Sequence, residues 1–67
     1  MKPLTYRQVE TILREHGFRL VKSEGSHFKW RDDQGHAVPV PHHGNKPIKQ
    51  GTLLSIFHKA GITPPSR

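Results

Sequence analysis

The sequence predicts a small α+β domain in the order α-β-β-β-α: a three-stranded antiparallel sheet with two helices on one face. Three observations carry that prediction. Apolar residues recur at helical spacing towards both ends of the chain, at Val9, Ile12 and Leu13 and again at Leu53, Ile56, Phe57 and Ala60. The middle alternates with a period of two, most clearly across Ser26-His27-Phe28-Lys29-Trp30-Arg31. Gly17, Gly25, Gly35 and Gly61 stand where these patterns break.

Thr5 and Gln8 have the spacing of a capping box, and Leu4 with Val9 that of a hydrophobic staple. The first helix therefore runs over 6–16, with Gly17 closing it. Its outer residues, Arg7, Glu10, Arg14 and Glu15, read as a solvated surface. Residues 18–22 read as a short strand with Phe18 and Leu20 inward, 23–25 as a turn, and 26–31 as the second strand. Residues 32–35 make a hairpin loop.

The third strand, 36–40, turns Val38 and Val40 inward, and Pro39 and Pro41, lacking N–H donors, place it at an edge. Residues 42–47 are a loop. The second helix starts at Lys49 or Gln50 and ends at Ala60, with Gly51 and Thr52 weakening its first turn. Gly61 closes this helix and Pro64-Pro65 prevents its resumption. One domain spans 1–62, and 63–67 form a frayed tail.

Sixty-seven residues, 31% of them hydrophobic, allow only a thin core. A deep substrate cavity has no room, so an active site should be shallow and open, which suits a polymeric substrate. Eleven Lys and Arg against five Asp and Glu give a net charge of +6, which favours an anionic partner, nucleic acid before membrane. The chain has no cysteine, hence no disulfide framework and no thiolate nucleophile or metal ligand. Residues 1–5 lack the apolar run of a signal peptide, and nothing approaches the ~18 apolar residues of a spanning helix. The expected location is the cytoplasm.

The second strand holds the sharpest candidate for chemistry. Its alternation puts Ser26, Phe28 and Trp30 on one side and His27, Lys29 and Arg31 on the other. Gly25 precedes it, where the chain must turn. The first side packs on the helices, with Trp30 partly exposed near the strand end. The second side stays open.

An ordinary imidazole titrates near neutrality and can take a proton from a ribose 2′-OH, while nearby cations stabilise the charge that builds on phosphate. Lys29 and Arg31 share the face of His27, Lys22 lies across the strand pair, and Ser26 is placed to orient the histidine. The same face equally describes a non-catalytic RNA-binding surface, and spacing alone does not choose between them. A DNA reader ranks below both, because neither helix carries a basic, polar face for the major groove. His42-His43, with His27 and His36, raises a metal site. Adjacent histidines in an extended loop point apart, however, and no acid or cysteine completes a structural set, so no metal or cofactor is expected. The His42-His43-Gly44 loop is a phosphate-contacting or structural segment.

With these elements in order, the chain resembles the HicA-type toxins, the small mRNA interferases of HicA–HicB toxin–antitoxin systems. The matching features are Gly17-Phe18, Gly25-Ser26-His27, Val38-Pro39-Val40-Pro41-His42, Ile48-Lys49-Gln50-Gly51-Thr52-Leu53, Ile56 and Ala60-Gly61-Ile62. They span residues 4–62. The resemblance implies a double-stranded-RNA-binding-like fold and metal-independent endoribonucleolytic cleavage of messenger RNA, with His27 as the catalytic residue. Gly25 and Gly51 are then structural parts of the motif. The resemblance further implies neutralisation by a HicB-type antitoxin that covers the His27 face, and contact with DNA only through that complex. Phe28-Lys29-Trp30 is bulkier and more basic than in many relatives, so a role for Lys29 rests on its position alone.

Overall fold

Residues 3–63 are described by the structure, a computed structural model. The expected tail from residue 64 onward, with its Pro64-Pro65 stop, lies outside them. The elements are β1 (Leu4–Thr5), α1 (Tyr6–Glu15), β2 (Arg19–Glu24), β3 (His27–Arg31), β4 (Ala37–Pro41), β5 (Pro47–Ile48) and α2 (Gln50–Ala60). The predicted α-β-β-β-α order holds, with β2-β3-β4 as an antiparallel meander.

The capping box forms: the Thr5 side chain accepts from the Gln8 backbone N–H, and the Gln8 side chain accepts from that of Thr5 at 2.9 Å. Both helices end the same way. The Phe18 N–H reaches the Leu13 carbonyl at 2.9 Å and the Ile62 N–H reaches that of Phe57 at 3.0 Å. In each case the preceding glycine also bonds back into the last turn, the pattern of a Schellman motif. Phe18 and Ile62 are thereby turned into the core. Phe18 is thus a helix-closing residue, and β2 begins after it rather than at it.

The core lies between the helices and the inner face of β3 and β4. Trp30, Phe57, Leu13, Leu53, Val9, Val38 and Val40 are its fully buried side chains. Trp30 was expected to be partly exposed and is not: its accessibility is 0%. The Arg14 guanidinium lies 4.9 Å from the indole ring and completes its cover. Arg14 is exposed, as read from the sequence, and its charge also lies over the indole and pairs with Glu10 at 2.9 Å.

Strand β2 departs furthest from expectation. It runs to Glu24, leaving Gly25 and Ser26 as the turn, and all six of its residues are exposed. Leu20, expected inward, is 40% exposed although it pairs with the buried Trp30, because neither helix extends over β2. The register Leu20↔Trp30 is followed by Lys22↔Lys29, so Val21 is an extra residue, a β-bulge. Without the bulge, but with Val21 in the ladder, Lys22 would share the inward side of Leu20. With it, Lys22 turns to the open face.

The third strand is shifted by one residue, to Ala37–Pro41, and is an edge as expected. The His42 N–H bonds the Ser26 carbonyl at 2.7 Å, so even-numbered residues here direct their N–H groups at β3. Pro39 and Pro41 therefore aim their ring nitrogens at the free edge, where they cost no ladder bond and offer none to an incoming strand. Within the loop predicted over 42–47, the chain instead forms a small ribbon. Leu4 pairs with Ile48 and Thr5 with Pro47, bringing the starts of the two helices together.

Candidate active site on the open sheet face

Three rows of side chains make up the outer face of the sheet. Cross-strand register sets them as Arg19, Arg31 and Ala37; Lys22, Lys29 and Pro39; and Glu24, His27 and Pro41. His27, Lys29 and Arg31 are exposed, and no helix covers them. The sequence placed these three on one face and Lys22 across the strand pair, and the bulge is what turns Lys22 to that face. Ser26 sits in the turn, where its carbonyl holds the start of β3 to the end of β4. Gly25 has φ 56°, a left-handed conformation that L side chains resist, and it lets the chain reverse just ahead of His27. Gly51 lies in the first turn of α2 with open space around it and no unusual backbone angle.

Like charges directly opposite each other destabilise a sheet, by about 0.2–1 kcal/mol per pair. Two such pairs stand side by side here, Arg19 with Arg31 and Lys22 with Lys29. Arg19 is partly relieved by Asp33 at 2.9 Å and Lys22 by Glu24 at 3.4 Å. Lys29 and Arg31 have no acidic partner among the described residues. Such an arrangement favours an external polyanion.

Glu24, the register partner of His27, escaped the sequence reading because it was taken as part of the turn. The pairing sets it opposite His27 on the outer face, where its carboxylate meets Lys22. Only the bulged register reveals that neighbourhood, and no local signal in the sequence marks the bulge.

The remaining histidines are elsewhere. His42 packs its ring against Tyr6 and Phe28, at centroid distances of 4.4 and 5.2 Å, on the inner side. Burial pushes the Tyr6 phenol above its ordinary pKa, with the Trp30 indole beside it acting the other way. The indole Nε1 itself makes no well-formed hydrogen bond. His36 holds the opposite end of the sheet. Its Nδ1 lies 2.7 Å from Asp32, whose other carboxylate oxygen accepts from the backbone N–H groups of His36 at 2.8 Å and Gln34 at 3.1 Å. Burial disfavours the charged carboxylate, but these bonds outweigh it, the imidazole first, and hold the Asp32 pKa below the usual value. Among the described residues, no three His, Asp or Glu side chains are grouped to hold a metal ion.

The fold and the exposed histidine now stand beside one comparison. The family described as the HicA toxin of bacterial toxin–antitoxin systems matches residues 6–62. The chain belongs to the HicA toxin family. It is thus a toxin of a toxin–antitoxin pair, and the Gly25-Ser26-His27 turn and the start of α2 both lie inside the matched span. No individual curated protein matches this HicA chain. None of the helices described in it is long and apolar enough to cross a membrane.

Proposed function

We propose that this HicA toxin is an endoribonuclease that cleaves messenger RNA on the open sheet face, with His27 as general base. The observation that carries the reading is the juxtaposition on one uncovered face of His27 with Lys22, Lys29 and Arg31, the last two without an acidic partner among the described residues. His27 takes the proton of a ribose 2′-OH, and the 2′-oxygen attacks the adjacent phosphorus. The bond to the 5′-oxygen breaks, and that oxygen takes a proton from the water to which the face is open. The products are a 2′,3′-cyclic phosphate and a 5′-hydroxyl. Lys29, Lys22 and Arg31 stabilise charge on the phosphate, and Ser26 positions the start of the strand.

The nucleophile is part of the substrate, so this route needs a base and cations but no metal-bound water. A HicB-type antitoxin with an acidic contact surface would neutralise the toxin by covering the same face, in the bacterial or archaeal cytoplasm. The test is incubation of the protein and its His27→Ala variant with end-labelled RNA in EDTA, resolving the chemistry of the product ends. Cleavage by the native chain alone, with cyclic-phosphate ends and unchanged folding and RNA affinity in the variant, is the expected result. An active His27→Ala protein refutes the assignment. RNA that is bound but intact with both proteins makes the domain a non-catalytic RNA-binding module.

A further inference from the structure

Off the free edge of β4 lies a cavity of about 410 Å³, bordered by Pro41, His43, Lys46, Pro47, Lys49 and Thr52. Its volume falls within the ~300–1,000 Å³ common for small-ligand sites, and it does not belong to the sheet face described above. Two features tie it to that face. Pro41 is both a wall of the cavity and the register partner of His27, so the cavity begins about one strand spacing, ~4.8 Å, beyond the histidine. Lys46 and Lys49, like Lys29 and Arg31, have no acidic partner among the described residues. Unpaired cations thus continue from the sheet face, past Pro41, into the cavity.

The walls narrow the choice of occupant. Pro39 and Pro41 deny a peptide strand the N–H donors it would need along this edge, so β-strand addition is blocked. Pro41 and Pro47 instead line the cavity together with Lys46, Lys49 and the His43 imidazole, apolar rings beside cations. That combination suits a nucleotide, with sugar or base against the prolines and phosphate against the lysines.

We propose that this cavity is a second RNA subsite, holding the nucleotide next to the one whose phosphate lies at His27. It rests on the reading of the protein as an RNA-binding toxin, and it assigns Lys46 and Lys49 to phosphate contact and Pro41 and Pro47 to the floor. Bases would then be discriminated by this floor rather than by the open sheet face.

The experiment measures binding of a fluorescein-labelled single-stranded RNA across a salt series, using the full chain in the non-cleaving His27→Ala background. Lys46→Ala/Lys49→Ala is compared with Lys59→Ala, an exposed cation about 15 Å further along the same helix. Loss of two phosphate contacts should reduce the slope of log affinity against log salt by about 1.4, while Lys59→Ala leaves it unchanged. An unchanged slope in the double variant, or an equal loss with Lys59→Ala, overturns the subsite. Absence of RNA binding by the parent protein would instead refute the RNA-directed function itself. Thermal melts of each variant confirm that folding is retained.

Discussion

Gly61→Ala should destabilise the domain by more than its backbone conformation alone explains. Gly61 closes α2 at φ 68°, where an L side chain costs about 1–2 kcal/mol. A Cβ there would also stand 3.0 Å from His36 Nε2, closer than van der Waals contact permits. The imidazole cannot simply swing aside, because its Nδ1 is held by Asp32 at 2.7 Å. Forcing it about 30° off its rotamer adds roughly 0.5–1.5 kcal/mol.

The sum is about 1.5–3.5 kcal/mol, against a total stability of about 3–10 kcal/mol for a chain of this length. A domain this small should lose about 6–28 °C in Tm. Gly17 is the natural control. It closes α1 at φ 85° with nothing near its Cβ position, so Gly17→Ala should show the backbone cost alone. Urea unfolding of both variants, and of Gly61→Ala with His36→Ala, completes a double-mutant cycle. A coupling energy of about 1 kcal/mol between positions 36 and 61 is expected. Equal losses for the two glycines, or zero coupling, would show that the helix end and the histidine are not in contact as described.

Gly51→Ala should do the opposite. The site has open space and an ordinary helical backbone, so alanine should stabilise the domain by about 0.5–1 kcal/mol, read as a raised urea midpoint. Asp32 governs behaviour in acid. Its pKa is lower folded than unfolded, so its contribution is present above about pH 4 and is lost as pH falls through the folded value. Asp32→Asn cannot titrate, and its melting temperature should fall less steeply over that window than that of the native chain.

The helices were legible because their determinants are local. Thr5 and Gln8 cap within one turn, and Gly17 and Gly61 each close a helix with the apolar residue that follows. The meander was legible because a two-residue period and turn glycines mark it. What stayed hidden depends on distant parts of the chain. The Leu4–Ile48 ribbon joins segments too short to show any period, and only the fold brings them together. Trp30 read as a core residue left partly exposed near a strand end, yet a charged residue on α1 covers it.

On the candidate site, His27, Lys29 and Arg31 share one strand, so alternation alone put them on one face. Lys22 and Glu24 needed the pairing of β2 with β3, and the run Arg19-Leu20-Val21-Lys22 contains nothing that announces a bulge. Lys46 and Lys49 needed the path of the chain after β4.

That bulge makes β2 sensitive to count more than to composition. Val21 is exposed, and many residues could occupy its place. Its exclusion from the ladder, however, sets the phase of everything after it. Regular pairing of the same residues, with Val21 kept in the ladder, would turn Lys22 under the sheet, lift Ser23 to the face that would meet RNA, and take Glu24 from beside His27, whereas loss of Val21 together with the bulge would leave Lys22 opposite Lys29. Loss of the bulged residue should therefore be tolerated, while a change of length after it, between Lys22 and Glu24, should not.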